Sequence, residues 1–216
     1  MTSLEEALRE AATERHKAFL ERLIPTACPD TIIGVPMPAL RKLAKGLDPS
    51  FLDALPHKSY EANILHGLLI NGGACEDVAR ALDDFLPHLD NWAVVDIIDP
   101  PEFYRGDYRD YYKTLMKDSR PFVSRLGIVL ALRHLAEDPR GLIRAVAAVK
   151  SGPYYVDMAM AWFFAEALLH DAEAVFTLLE SEALTPSVRR KTVRKIKESF
   201  RVPDELKIRA AAVGKK

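Results

Sequence analysis

Cysteine is nearly missing from this chain: Cys28 and Cys75 are the two in 216 residues, far apart and without C-x-x-C spacing. That excludes a disulfide framework or a cysteine zinc site, suits a reducing compartment, and leaves both expected as small buried hydrophobes. Net charge is missing too, with 30 basic residues against 31 acidic ones. A globally basic nucleic-acid binder is therefore excluded, and any affinity for phosphate must come from how charge is distributed. No stretch approaches the uncharged length that a membrane span needs. The opening MTSLEEALREAATERHKAFLERL mixes charge with apolar residues at helical spacing, unlike a secretory signal. P-loop, G-x-G-x-x-G and G-x-S-x-G patterns are absent. The histidines His16, His57, His66, His88, His134 and His170 show no ligand spacing with each other or with cysteine, so no metal site is expected.

What the chain does have is apolar residues, 49% of the total, recurring at three- and four-residue intervals as in Leu4, Leu8, Ala11 and Ala12 or Leu65, Leu68 and Leu69. No long alternating pattern accompanies them, so the fold class is all-α. Prolines and glycines punctuate at short intervals, and MPALRKLAKGL, SRPFVSRL, SGPYYVDM and LTPSVRRK each place a proline where it can open a helix. Helices of about ten to fifteen residues joined by short loops follow. From Asp90 onward helix and breaker alternate with roughly 30 to 40 residues per helix pair, the spacing of stacked helical repeats. A solenoid of degenerate pairs accounts for this better than a compact bundle, because each pair buries its face only against its neighbours. One domain over residues 1–216 is expected, with AAAVGKK as a frayed tail.

Four features interrupt this pattern. In DNWAVVDIIDPP, a helical wheel puts Val94, Val95, Ile97 and Ile98 on the apolar arc and Trp92 with Asp96 together on the opposite side. Such a pair commonly packs on a neighbouring helix and meets a basic side chain. Arg125 rises from an apolar sector with Phe122, Val129 and Leu132, so its guanidinium must snorkel, join a salt bridge or meet an anion. Trp162 lies on a helix apolar nearly all round, central in the stack, where an indole is more often core than site. Arg189, Arg190, Lys191, Arg194, Lys195, Lys197 and Arg201 crowd the C-terminal helix against Glu198 alone, with Val188, Val193, Ile196 and Phe200 on its buried face. A solvated outer face is the ordinary explanation, yet such a strip can also follow a phosphate backbone.

Taken in order, IIGVPMPALRKLAKGL, DNWAVVDIID, SRLGIVLALRHL, MAWFFAEAL and LTPSVRRKTVRKIKESF resemble the DNA alkylation repair family of HEAT-like helical-repeat glycosylases, the AlkD-like proteins, over nearly the whole chain. The resemblance implies a right-handed superhelical solenoid of HEAT-like, armadillo-like helix pairs with a concave groove. It implies a monomeric DNA repair glycosylase of the cytoplasm and nucleoid that acts on alkylated duplex DNA without metal or cofactor, releasing cationic N3- or N7-alkylpurines. Trp92, Asp96, Arg125 and Trp162 fall on the family's site positions: Asp96 as the carboxylate facing the sugar, the two indoles as flat faces, and Arg125 for a phosphate. Arg189, Arg190, Lys191, Arg194, Lys195 and Lys197 become the DNA-binding strip. Asn91 stands where the studied branch carries another aromatic, and Met158, Ala161 and Ala165 make the surroundings of Trp162 more apolar. A non-catalytic module that binds damaged or branched DNA, or a protein, through the same groove is the alternative.

Overall fold

The computed structural model describes residues 3–73 and 77–213 and is all-helical, with thirteen α-helices, short 3-10 turns and no strand among those residues. Its contacts divide into two compact units, Met1–Asp107 and Tyr108–Lys216.

The first unit opens with α1 (Leu4–Ala11), whose Ser3 and Glu6 form a reciprocal capping box, and α2 (Glu14–Leu23), capped by Thr13. Helices α3 (Met37–Ala44) and α5 (Val78–Phe85) follow, and the short α6 (Trp92–Ile97) closes the set. At the centre lies α4 (Tyr60–Asn71), buried on nearly every side and packed against both α3 and α6. Gly67 allows the α6 contact: a Cβ there would stand 3.0 Å from the Ile97 Cδ1. Even a charged residue of α4 is buried. The Glu61 carboxylate accepts hydrogen bonds from the backbone N–H groups of Ile33, Gly34 and Val35, the shortest 2.7 Å long. Gly34 is at φ +101, where a side chain would also collide with Lys17 and Thr13, so only glycine fits this turn.

In the second unit, α7 (Arg109–Met116) and α8 (Pro121–Arg133) approach until their backbones touch. A Cβ on Gly127 would lie 2.7 Å from both the Met116 nitrogen and the Tyr112 oxygen. Beyond them α9 (Pro139–Ala147), α10 (Tyr154–Ala167), α11 (Ala172–Glu180), α12 (Pro186–Glu198) and α13 (Asp204–Val213) alternate between two rows. Helices α8, α10 and α12 lie side by side in one row, and α9, α11 and α13 neighbour each other in the second. This layering explains why α10 is apolar nearly all round: it meets helices of both rows, and Phe163, Phe164 and Met160 are buried among them. Each such side chain contributes about 1.5–3 kcal/mol relative to exposure.

The prolines act as expected: Pro121 and Pro186 are the first residues of α8 and α12, and Pro38 is the second of α3. Four expectations are corrected. Cys28 is exposed, because it precedes the Pro29–Thr31 turn at the surface, while Cys75 lies outside the described residues. Phe200 is fully exposed instead of lining the buried face of α12, since Ser199 turns extended (φ -73, ψ 129) and ends the helix, leaving Arg201 beyond it too. The tail is not frayed through Val213: Ala210 and Val213 are buried on α13, and only 214–216 fall outside the described residues. Helix lengths also run shorter than expected, from 6 residues in α6 to 14 in α10.

Candidate functional site

Six residues are too few for a helix to persist alone, and α6 is held at both ends by asparagine. At its start the Asn91 Oδ1 accepts from the Ala93 and Val94 N–H groups, both at 3.0 Å. At its end the Asn71 Nδ2 donates to the Ile97 carbonyl at 2.6 Å, and the Asp99 N–H donates to the Asn71 Oδ1 at 2.7 Å. Asn91 is thus a buried helix cap. Val94, Val95 and Ile98 are wholly buried, whereas Trp92 and Asp96, one turn apart, remain partly open. The Trp92 Nε1 makes a long 3.4 Å hydrogen bond to the Leu23 carbonyl, which fixes the indole against the end of α2. Phe19 and Leu23, one turn apart on α2, are 48% and 41% exposed.

In the second unit, Arg125 and Trp162 sit on the neighbouring helices α8 and α10. Arg125 is 6% exposed, and its Nη1 donates to the Tyr155 carbonyl at 2.9 Å. Tyr155 stands two turns before Trp162, and together with Met158 and Glu166 these residues form the partly open stripe of α10. The guanidinium therefore ties α8 to the helix that presents the indole. Glu166 is in turn paired with Arg201 at 2.6 Å. Trp92 and Asp96 belong to the first unit, Arg125 and Trp162 to the second, and each pair is built by its own unit.

The six cations of α12 divide into two groups. Lys191 turns inward to Asp157 at 3.0 Å, and the Arg189 Nη2 donates to the Ser181 carbonyl. Arg190, Arg194 and Lys197 are exposed around a shallow hollow of about 350 Å³, with Arg194 in an i,i+4 pair to Glu198 at 2.8 Å. Lys195 lies 4.0 Å from the same Glu198.

Two clusters went unnoticed in the sequence. Asp157, 2% exposed on α10, accepts from Ser151 (2.8 Å), the Gly152 N–H (3.0 Å), Ser187 (2.6 Å) and Lys191. Burial alone would raise its pKa, but these donors together outweigh that and hold it below the ordinary carboxylate value. The i,i+4 spacing of Ser187 and Lys191 was a readable signal for half of this cluster; nothing in the chain pointed to a carboxylate thirty residues earlier. The second cluster is His57 and His66, whose Nε2 and Nδ1 lie 2.9 Å apart between Phe51 and Phe85. Burial, with the neighbouring histidines, pushes His57 down to about 4 and His66 to about 3. The nine-residue separation of this pair follows no helical or ligand spacing.

A family model described as DNA alkylation repair enzyme matches residues 4–196. The chain belongs to the DNA alkylation repair enzyme family. Membership places it in DNA alkylation repair and points to DNA as its partner. No curated protein matches the chain significantly. Among the described residues no helix is long and apolar enough to cross a membrane, and no group of three or more histidine, cysteine or acidic residues is placed to hold a metal ion.

Proposed function

We propose that this member of the DNA alkylation repair enzyme family is a monofunctional glycosylase that hydrolyses the N-glycosidic bond of cationic N3- and N7-alkylpurines in duplex DNA. The single observation that carries the reading is α6, which two asparagines hold at its ends while Trp92 and Asp96 stay partly open on one face. The two helix rows of the second unit support HEAT-like pairs as the repeating element. Right-handed superhelical stacking of such pairs is the architecture proposed with it.

A purine alkylated at N3 or N7 is already cationic, so it takes the bonding electron pair and leaves as a neutral base without a general acid. The barrier lies in the positive charge that grows on the sugar. The proposal gives Asp96 the task of stabilising that charge and orienting the water whose oxygen bonds to the anomeric carbon as its proton passes to solvent. At about 4 Å and an effective dielectric near 20, a carboxylate and a unit positive charge attract by roughly 4 kcal/mol. Expressed fully in the transition state, this is about three powers of ten in rate. Trp92 and Trp162 offer π-faces to sugar and cationic base. Arg125 is assigned to a phosphate of the same nucleotide, and the exposed Arg190, Arg194 and Lys197 of the α12 strip to the backbone.

Release of 7-methylguanine from methylated duplex DNA tests the proposal. Wild type should release it well above the spontaneous rate, and Asp96→Asn should lose about three powers of ten while keeping its helical content. Wild-type release at the spontaneous rate would end the glycosylase reading.

One observation favours a second reading. Arg125 is buried and donates to a protein carbonyl, as a brace between helices would, and a brace needs no phosphate. In that case the chain is a non-catalytic module that binds damaged or branched DNA, or a protein, by the same surfaces. Asp96→Asn would then leave DNA binding unchanged or tighter, and salt-independent association would identify a protein partner.

A further inference from the structure

The second unit contains a cavity of about 620 Å³ that involves none of the residues assigned above. It lies where the end of α7, the start of α8, the end of α9 and the start of α10 converge. Its floor is aliphatic: Met116 and Val156 are buried, Val149 is half-buried, and Pro121 and Pro153 close the sides. Lys113, Lys117 and Lys150 stand around it. Lys113 is partly offset by Asp110 at 3.2 Å, whereas Lys117 and Lys150 are exposed with no carboxylate at ion-pair distance among the described residues. The one acid on the rim, Asp118, is held by the Arg120 guanidinium at 2.6 Å. On a chain of net charge -1 this is a concentrated positive rim above a greasy floor.

The volume falls in the range of small-molecule sites, about 300–1,000 Å³. No aromatic ring lines the cavity, so a nucleobase would find no stacking surface. The geometry points to a binding site for a small aliphatic anion, a carboxylate or phosphate monoester on a saturated chain. The chain lies on Met116, Val149 and Val156, and the acidic group rests among Lys113, Lys117 and Lys150. Both α8 and α10 begin at this cavity without a side-chain cap, which adds to the positive potential that the lysines create.

Isothermal titration of the full chain with hexanoate, octanoate and decanoate, each below its micellar concentration, tests the site. Burial on an aliphatic floor predicts that affinity rises about four-fold per methylene. Decanol and inorganic phosphate should each bind at least about ten-fold more weakly than decyl phosphate, since each supplies half of the recognition. Comparing decanoate with decyl phosphate distinguishes the two sources of the acidic group. Ala145→Phe, which fills the cavity, should abolish binding. The exposed double variant Lys117→Gln/Lys150→Gln should weaken it about ten-fold and reduce its salt dependence, with no risk to the core. Base release from methylated DNA should be unchanged in both variants, so failure here is separable from failure of the glycosylase proposal. Absence of a chain-length dependence, equal binding of decanol and decanoate, or unaltered binding by the lysine double variant would each overturn the assignment. Displacement of decanoate by unmodified duplex DNA would overturn it as well and give these lysines to the phosphate backbone.

Discussion

Acidification should destabilise the first unit through a pair of side chains remote from any proposed chemistry. His57 and His66 are held neutral in the fold, with pKa values pushed to about 4 and about 3 from an ordinary 6.5. Above 6.5 both are neutral folded or unfolded, and the stability they contribute is fully present. As the pH falls below 6.5 the unfolded chain takes up protons that the folded one refuses, so stability drains until the folded values are reached. At pH 5 both folded values still lie below the solvent pH, so the loss is set by the gap between 5 and 6.5. That gap is worth about 2 kcal/mol for the fully buried His66 and less for the half-buried His57, roughly 3 kcal/mol together. A loss of this size is a large fraction of the stability of an ordinary domain. Urea unfolding at pH 8 and pH 5 measures it, in a Trp162→Phe background where Trp92 alone reports the first unit. His66→Phe retains a ring to stack on Phe85, now 4.0 Å away, and removes the titration; its loss between the two pH values should be smaller by about 2 kcal/mol. Equal losses in wild type and variant would refute the neutral pair.

Removing Asp157 strands Lys191, Ser151 and Ser187 without their shared acceptor, so Asp157→Ala should cost about 3 kcal/mol in urea unfolding; a cost below 1 kcal/mol would contradict the network. Gly127→Ala gains about 1 kcal/mol of helix propensity, but with a Cβ 2.7 Å from the backbone of α7 it should lose about 2 kcal/mol net, read as a lowered melting temperature. Neutralising Arg190, Arg194 and Lys197 together should reduce the slope of log K against log salt for duplex DNA by about 2.7, whereas Lys191→Gln should change stability and leave the slope nearly intact. A slope change from Lys191→Gln equal to one third of that triple effect would refute the division of the α12 strip.

What could be read along the chain was local. Pro121 and Pro186 announced helix starts because a proline costs nothing at a first helical position, and the α6 wheel placed Val94, Val95 and Ile98 inside and Trp92 with Asp96 at the more open side, as the structure has them, although Ile97, read as inside, is only partly buried. The same periodicity failed at Phe200, since a wheel cannot register that Ser199 leaves the helix one residue earlier. It failed at Cys28 because a residue type's usual burial yields to the turn that follows it. Lys191 looked like its neighbours on the strip; only the packing of α12 on α10 brings it to Asp157. The His57–His66 contact and the Glu61 hydrogen bonds to residues 33–35 join segments by tertiary placement alone, and no spacing rule reaches that far.

Glu61 bears on how this protein can be dissected. Its carboxylate sits in the core with three amide donors from one short turn as its solvation, so that turn is an organ of α4 and not an accessory to it. A fragment that begins after residue 35 would leave that carboxyl group buried without its donors, a cost of several kcal/mol to the central helix of its unit. Any shortening of the amino-terminal region must therefore either retain the Ile33–Val35 turn or replace Glu61 in the same step.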